Sequence, residues 1–231
     1  MPKISPKVKI TVVIPACNEE QNIGKTINDV KPFCDNIIAS IAKKTNDQTA
    51  DIAKQLGAKV IFDHGLGKGD GIRSTLDYLE DEDIVVFIDS DGSHIASDIP
   101  SIVQPIIDDK ADMVIASRFL GGSEELHGDF NKFLRMFFSM CIAQIINWRF
   151  KTEMQDTQNG YRAFKVKVLK DLNLTSNHTE IETEMCMKCI KKNYKILEIP
   201  SRELKRSSGK SNISIIKHGR RYVWTVFKNI F

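Results

Sequence analysis

Two carboxylates stand directly after an apolar run in the middle of the chain. Residues 85–88 are Val-Val-Phe-Ile, and Asp89 and Asp91 follow them, one residue apart. A continuous apolar run is typical of a strand that is buried on both faces of a parallel sheet. Ligands of open α/β sheets bind beyond the carboxyl ends of the strands, so this pair could hold a divalent cation or meet a phosphate. A simple Asp-Ser-Asp-Gly turn is the alternative interpretation.

Two cationic segments could add phosphate binding. Lys68 lies in the glycine-rich stretch 64–71, where glycine permits close backbone approach and lysine supplies a point charge. The stretch does not satisfy G-x-G-x-x-G, and no Ser or Thr follows Lys68 as a P-loop requires, so a merely mobile loop is the alternative. Further along, Arg202 and Arg206 precede a Gly-Lys-Ser sequence at 209–211. Arginine, glycine and serine together can wrap a phosphate.

Alternating strands and helices would position these groups. The apolar patterns predict strands at 9–14, 36–41, 58–62, 84–88 and 111–117, with helices between the first four. Arg118 would directly follow the end of its strand, just as Asp89 directly follows the end of a neighbouring strand. The alternation predicts an α/β fold with a doubly wound, mostly parallel sheet flanked by helices. The first 120 or so residues would bind a nucleotide-like ligand.

The second half of the chain contains helices whose surroundings the pattern leaves open. Residues 130–150 are rich in aromatic and aliphatic side chains, punctuated by Arg135 and Arg149, and predict either a core helix or a helix on a membrane surface. Residues 213–231 are basic, aromatic and amphipathic, and both interpretations apply to them as well. Residues 178–192 predict a helix with three early glutamates, which the helix dipole would favour.

Composition restricts the class of protein. The 231 residues, 42% hydrophobic and 27% charged, suffice for one sizeable α/β domain. A formal net charge of +3 is too small to argue for nucleic acid as a partner. Five cysteines without regular spacing, and an opening without a signal-peptide pattern, predict a reducing, cytoplasmic location. No apolar run reaches the length of about 20 residues that a membrane-spanning helix needs.

Short motifs along nearly the whole chain resemble the family 2 glycosyltransferases of GT-A fold, and within them the dolichyl- and polyprenyl-phosphate sugar transferases. Residues 13–20 are similar to the family's opening Ile-Pro-x-x-Asn-Glu-Glu, and Asp89-Ser90-Asp91 to its DXD motif. The other similar stretches, in the family's order, are 47–53, 67–69, 116–119, 156–164, 181–185, 198–200 and 206–211.

The resemblance implies a single GT-A-like domain over residues 1–231, with a mostly parallel, mixed sheet. Residues 1–120 would form the nucleotide-sugar-binding half, 121–212 the acceptor-binding half and 213–231 a C-terminal amphipathic helix. Asp91, with Asp89 assisting, would hold Mg²⁺ or Mn²⁺. The residues that the resemblance assigns to the donor and phosphate groups are Pro15, Ala16, Asn18, Glu19, Lys68, Asp89, Ser90, Asp91, Arg118, Arg202 and Arg206.

The implied reaction is the transfer of a sugar, with inversion, from a nucleoside diphosphate sugar of the GDP-mannose or UDP-glucose type. Asp89, Asp91 and Arg118 would act on the charge of the leaving diphosphate. A polyprenyl phosphate acceptor is already an anion and needs no strong base; Arg135 and the arginines of 202–206 would hold it. A sugar hydroxyl would need a general base, for which Asp156 is the candidate.

A lipid acceptor implies a cytoplasmic enzyme that binds the membrane face peripherally. The alternatives are a soluble or saccharide hydroxyl acceptor, a nucleotidyltransferase, and a non-catalytic nucleotide-sugar-binding module. Ala42 stands where the family usually has an aspartate that contacts the nucleobase, so the resemblance leaves the base and the sugar unspecified. Ser93 and the pair Asn212-Ile213 are further departures from the family pattern.

Overall fold

A computed structural model describes residues 8–81, 83–124, 130–206 and 215–230. The strands are β1 (Ile10–Ala16), β2 (Asn36–Ile41), β3 (Lys59–Phe62), β4 (Ile84–Phe87), β5 (Met113–Ser117), β6 (Arg162–Lys165) and β7 (Ile196–Pro200). The helices are α1 (Ile23–Val30), α2 (Thr49–Gln55), α3 (Lys68–Ser74), α4 (Ile99–Ile107), α5 (Arg118–Gly121), α6 (Phe130–Phe150), α7 (Val166–Asp171), α8 (Ile181–Lys191) and α9 (Ile215–Ile230).

The strands of the described residues pair in one sheet, in the order β3-β2-β1-β4-β6-β5-β7. β6 runs antiparallel to both of its neighbours, and the other pairs are parallel. The predicted mostly parallel, mixed sheet is therefore confirmed. The expectation that Arg118 and Asp89 leave neighbouring strands is wrong, because β6 lies between β4 and β5.

Apolar side chains form a layer on each face of the sheet. Val12 and Val86 belong to the layer that packs with α1 and α4, whereas Val13 and Val85 belong to the layer that packs with α3 and α8. β4 is buried along its whole length. Burial on both faces explains why this strand is uniformly apolar and why the first polar side chains appear only where it ends.

The glycine-rich stretch includes the beginning of α3 and is not merely a mobile loop. α3 begins at Lys68, and the preceding Gly67 has a φ of +127°, which glycine adopts without strain. Gly69 and Gly71 are buried within the helix. A Cβ on Gly69 would meet the backbone of residues 176–178. This close backbone packing fixes the position of Lys68.

The sheet topology gathers the predicted motifs at one edge. β1 continues through Pro15 to Ala16, two residues beyond the predicted end, and its carboxyl end lies beside those of the parallel strands β2 and β4. Because β6 is antiparallel, it begins at that same edge. The loop before β6, residues 156–161, therefore joins the strand ends that carry the acidic pair.

α6 and α9 pack with α8 around Ile146, Met187 and Val226, so both predicted helices form and contribute to the core. Large apolar side chains nevertheless remain exposed on their outer surfaces. These are Phe133, Phe137, Phe138, Met140, Ile145 and Trp148 on α6, and Val223, Trp224 and Phe227 on α9. Within the described ranges, no helix is long and apolar enough to cross a membrane.

Candidate active site

A cleft at the carboxyl edge of the sheet contains most of the predicted site residues. This large cleft encloses about 320 Å³ and lies between the ends of β1, β2 and β4, the start of α3 and residues 178–179. Its lining includes Pro15, Ala16, Glu19, Lys68, Asp89, Ser90, Asp91 and Arg206. The opening motif, the lysine and the acidic pair, which are far apart in sequence, therefore line one space.

A second space of about 80 Å³ adjoins the large cleft. This small cavity shares five lining residues with it: Lys68, Asp89, Asp91, Thr179 and Arg206. Its other walls include Arg118, Arg135 and Glu182. The two spaces thus meet at the paired aspartates.

Lys68 pairs with two carboxylates at this junction. Its Nζ lies 2.6 Å from Asp89 Oδ1 and 2.8 Å from Glu182 Oε1. Burial alone would lower the pKa of Lys68, but these two carboxylates outweigh it and raise the pKa above its usual range. Burial would likewise raise the pKa of Asp89, but Lys68 and then His94 outweigh it and hold that pKa below its usual range. Both groups are therefore charged at neutral pH.

Asp91 is held from two sides. Its Oδ1 accepts hydrogen bonds from the backbone N–H of Ser93 at 3.0 Å and from the Ser93 hydroxyl at 2.6 Å. Its Oδ2 lies 2.8 Å from Arg206 Nη2, and Arg206 Nη1 lies 3.3 Å from Glu19 Oε1. Ser93, a departure from the family pattern, thus orients the carboxylate of the acidic pair. Arg206 links the opening motif to Asp91.

Gly160 lies against the junction from the loop before β6. A Cβ at this position would lie 2.8 Å from Lys68 Nζ and 2.9 Å from Asp89 Oδ2. His94 also approaches Asp89, with its Nε2 3.7 Å from the same Oδ2. Glycine at 160 therefore leaves room for the Lys68 and Asp89 pair, which explains why the loop that carries it has a glycine where the chain turns towards β6.

Arg118 and Asp156 form a buried pair at the wall of the small cavity. Arg118 donates to Asp156 through Nε at 2.8 Å and Nη2 at 2.9 Å, and its backbone N–H donates at 3.1 Å. The backbone N–H groups of Gln158 and Asn159 also donate to this carboxylate. Burial would raise the pKa of Asp156, but Arg118 outweighs it and holds the pKa below its usual value.

This pairing corrects the expectation that Asp156 could act as a general base. Its side chain is fully buried, its oxygens accept several hydrogen bonds, and its proton affinity is lowered. A carboxylate in that state neither reaches an acceptor hydroxyl nor takes a proton readily. Asp156 instead orients Arg118, whose Nη1 lies 3.7 Å from Glu203 Oε1.

Two residues predicted to bind the donor or its phosphates lie outside both spaces. Asn18 Oδ1 accepts a hydrogen bond from the backbone N–H of Asn46, and its backbone is left-handed with a φ of 56°, so it orders a turn. Arg202 is exposed and its Nη2 lies 2.8 Å from Glu124 Oε1. The structure therefore places neither residue on the walls of the large cleft or the small cavity. Gly209, Ser211 and the pair Asn212-Ile213 lie outside the described residues.

Ser90 supports the site indirectly, since its hydroxyl donates to the carbonyl oxygen of Pro15 at 3.0 Å and joins the end of β4 to that of β1. Glu19 lies beside the junction, and burial raises its pKa against the opposing effects of Asn22 and Arg206. The predicted opening motif thus contributes both a structural link and a carboxylate to the large cleft.

The glutamates at the start of α8 have specific partners that the helix dipole does not explain. Glu184 is buried, accepts hydrogen bonds from the backbone N–H groups of Thr175 and Ser176, and pairs with Lys188 at 2.7 Å. Glu182 is buried and pairs with Lys68, while its Oε2 has no hydrogen-bond partner among the described residues. Glu182 is therefore a site residue that was not among the predicted ones; its place in the stretch 181–185, which is similar to the family, was the available signal.

The paired aspartates suit a divalent cation that takes its remaining ligands from substrate phosphates and water. Asp89 and Asp91 present oxygen ligands to both spaces, and a protein cation already lies against each carboxylate. Among the described residues, no group of three or more His, Cys, Asp or Glu could hold a metal ion. Mg²⁺ is commonly held by one or two carboxylates together with substrate phosphates and water, and the two aspartates fit that requirement.

The mostly parallel sheet, with the antiparallel β6 and flanking helices, is a GT-A-like fold. A solved structure of glucosyl-3-phosphoglycerate synthase from Mycobacterium tuberculosis, in complex with Mn²⁺, UDP-glucose and phosphoglyceric acid, matches with a TM-score of 0.75. The match covers 97% of this chain and 80% of that chain at 20% sequence identity, and so supports the fold alone.

The chain belongs to glycosyltransferase family 2, whose family model matches residues 11–172. It is 30% identical to the UDP-N-acetylglucosamine–dolichyl-phosphate N-acetylglucosaminyltransferase of Methanococcus voltae, across 83% of this chain and 84% of that protein. It is 26% identical to the dolichyl-phosphate hexose transferase of Haloferax volcanii, across 83% and 81%. The resemblance seen in the sequence motifs is therefore confirmed.

Proposed function

We propose that this protein is an inverting hexosyltransferase that moves a sugar from a nucleoside diphosphate sugar to a polyprenyl or dolichyl phosphate. The junction at Asp89 and Asp91 carries the proposal. There a cleft within the range of about 300–1,000 Å³ typical of ligand sites meets a small cavity with arginines on its walls. A nucleotide and an anionic acceptor would meet at the acidic pair.

The donor would occupy the large cleft with its diphosphate towards the junction. Lys68 and Arg206 lie there to balance the added negative charge. Mg²⁺ or Mn²⁺ held by Asp91 and Asp89 would stabilise the charge that develops on the leaving diphosphate. Arg118, oriented by Asp156, would add positive charge from the wall of the small cavity.

A phosphate acceptor accounts for the cations of the small cavity. Arg118, Arg135 and Arg206 lie on its walls, and guanidinium groups suit phosphate oxygens. The phosphate oxygen would form the new bond to the anomeric carbon as the bond from that carbon to the β-phosphate oxygen breaks. The nucleoside diphosphate leaves with the electron pair. An anionic oxygen attacks without a general base. This agrees with the state of Asp156, whose carboxylate is paired with Arg118 and does not serve as a base.

The exposed apolar surface of α6 and α9 would bring the junction to the bilayer. Both helices also reach the small cavity, α6 through Arg135 and α9 through Tyr222. Trp148 is 81% exposed and Trp224 is 64% exposed, which is unusual for such large apolar side chains. Aromatic side chains beside arginines suit a membrane interface with anionic lipids.

The test is a transfer assay with a panel of acceptors. Labelled UDP- and GDP-sugars are incubated with the protein and Mn²⁺ in three separate reactions. The acceptor is polyprenyl phosphate in liposomes in the first, 3-phosphoglycerate in the second and a free sugar in the third. Label that appears in the lipid phase supports the proposal. Preference for 3-phosphoglycerate would favour the second candidate, a soluble acceptor whose hydroxyl takes the sugar while the same arginines hold its phosphate, and would contradict attack by a phosphate oxygen. Transfer to a sugar hydroxyl alone would contradict the phosphate-acceptor mechanism.

A further inference from the structure

Lys68 is shared between one carboxylate of the acidic pair and a second acid. Its Nζ lies 2.6 Å from Asp89 Oδ1 and 2.8 Å from Glu182 Oε1. Asp89 lines both spaces and suits a divalent cation, whereas Glu182 lines the small cavity. A divalent cation at Asp89 would meet the ammonium group at short range, and two positive charges so close together repel each other. Binding of the cation would therefore disturb the contact between Lys68 and Asp89.

Glu182 can accept a further hydrogen bond from the ammonium group. The residue is 2% exposed, and its Oε2 has no hydrogen-bond partner among the described residues. An ammonium group has three donors, and the two short contacts of Lys68 use two of them. Because a buried acceptor without a partner is unfavourable, Oε2 favours a nearby donor. If Nζ left Asp89, it could pair with both oxygens of Glu182 through rotation of its own side chain.

Arg206 has the same relationship to the other aspartate. Its Nη2 lies 2.8 Å from Asp91 Oδ2, and its Nη1 lies 3.3 Å from Glu19 Oε1. Each aspartate of the pair thus has one oxygen against a protein cation, and each of these cations also has a second acid beside it. A diphosphate would bring oxygens that can take the place of the aspartates as partners of the two cations. The arrangement therefore links metal binding to nucleotide binding.

We propose that Lys68 competes with the divalent cation for Asp89 until a nucleoside diphosphate enters, and that Glu182 is the positioning residue that then keeps Lys68 beside the diphosphate. Without a nucleotide, the ammonium group opposes a divalent cation at the acidic pair. With the nucleotide bound, the diphosphate attracts Lys68 and supplies ligands to the cation, so that nucleotide and cation bind together. This inference rests on the proposed function, since it assumes that a nucleoside diphosphate and a metal ion meet at the junction.

The test measures the affinity for Mn²⁺ alone, from the loss of the paramagnetic resonance signal of the hydrated ion. Lys68→Met should bind Mn²⁺ about tenfold more tightly than wild type, because the competing charge is gone. Glu182→Gln should bind it about tenfold more weakly, because Lys68 then pairs with Asp89 alone. Lys43→Met is the matched control and should bind Mn²⁺ as wild type does. Among the described residues, Lys43 also lines the large cleft but belongs to neither ion pair of the aspartates.

The double variant Lys68→Met with Glu182→Gln removes both charges of the buried pair together, and so leaves no unpaired Glu182 carboxylate that could prevent folding. It should bind Mn²⁺ more tightly than wild type, and as tightly as Lys68→Met does, because Glu182 acts through the lysine. If Glu182→Gln weakens Mn²⁺ binding equally with and without Lys68, Glu182 acts through its own charge and the inference is overturned.

Calorimetry of UDP and GDP binding with Mn²⁺ should give the opposite order. Lys68→Met should bind the preferred nucleotide more weakly than wild type, because the diphosphate has lost its lysine partner. If wild type binds a nucleotide with Mn²⁺, but Lys68→Met and the double variant bind Mn²⁺ alone no more tightly than wild type, the inference alone is overturned. If wild type binds neither nucleotide, the proposed function fails with it.

Discussion

Arg206 lies against Asp91, with its Nη2 atom 2.8 Å from Asp91 Oδ2. The arginine comes from the segment after β7 and the aspartate from the end of β4, so the two halves of the chain meet at this pair. Both spaces of the site include both residues. Arg206 is therefore positioned to meet an incoming diphosphate or acceptor phosphate while balancing the acidic pair.

Arg206→Ala should lower transfer by about 10–100-fold, because a charge-assisted contact to phosphate is lost at the junction. Arg202→Ala is the matched control from the same segment, since Arg202 is exposed and pairs with Glu124. Initial rates and donor KM for the two variants provide the comparison. Equal losses in both would contradict the assignment of Arg206 to the site.

Asp156→Asn should destabilise the fold by about 3–5 kcal/mol at neutral pH, because it leaves the buried Arg118 without its carboxylate partner. Burial opposes ionisation of Asp156, but Arg118 outweighs it and lowers the pKa in the folded state. The stabilisation is therefore present above the ordinary aspartate pKa of about 3.9 and is lost as the pH falls through the lower folded value.

Thermal unfolding of wild type and Asp156→Asn from pH 7 downwards measures this effect. The gap in Tm should be largest near neutrality and should narrow below about pH 4. Asp108→Asn serves as the control, because Asp108 pairs with Lys110 at an exposed position and its loss should leave Tm nearly unchanged. A gap that is constant with pH would contradict the ionised buried pair.

Gly160→Ala should lower the rate of transfer with little change in Tm. The added methyl would crowd Lys68 Nζ and Asp89 Oδ2, which are side-chain ends that can move and thereby lose their positions. Gly219→Ala is the control, because a Cβ there meets nothing within 4 Å, and alanine stabilises a helix by about 0.5–1 kcal/mol. Full activity in Gly160→Ala would show that the position of this pair is not critical.

Wild-type protein should sediment with anionic vesicles at low salt and dissociate as salt rises, since each cation near an anionic leaflet contributes about 1 kcal/mol. Trp224→Ala, and Arg220→Glu combined with Arg221→Glu, should weaken this binding. Phe62→Ala, an exposed aromatic on β3 at the edge of the sheet, should bind as wild type does. Wild-type protein that stays in the supernatant at low salt would contradict the membrane surface proposed for α6 and α9.

The alternation of elements could be predicted because buried strands and amphipathic helices leave local patterns. The insertion of β6 between β4 and β5 could not, because strand order depends on contacts between distant segments. α4 is not among the predicted elements, although Ile99, Ile102, Val103 and Ile106 recur at the spacing of a helix; Pro105 within it is the residue that disfavours a helix. The glycine-rich stretch was also ambiguous, since the backbone that packs against Gly69 comes from residues 176–178.

The candidate site also contains residues that could be predicted from the sequence and residues that could not. Asp89 and Asp91 could be found from sequence because they follow the end of a strand. The carboxyl end of a parallel strand lies at the ligand-binding edge of the sheet, whichever residues contact it there. Glu182 acquires its role only through Lys68, on a distant element. Arg162 is a further example: it is fully buried and donates to the carbonyl oxygens of Asn159 and Glu182, which joins the loop before β6 to α8. No local pattern distinguishes such an arginine from an exposed one.

The central claim is tested most directly by comparing wild type with Asp91→Asn in single-turnover transfer from labelled nucleotide sugar to polyprenyl phosphate, with Mn²⁺ and with EDTA. Loss of a group that stabilises the transition state typically costs about 100–1,000-fold in rate, so the variant should lose transfer by at least that factor while its Tm and circular dichroism stay close to those of wild type. EDTA should abolish wild-type transfer. Undiminished transfer by Asp91→Asn, or by wild type in EDTA, would contradict a metal-assisted transfer centred on the acidic pair.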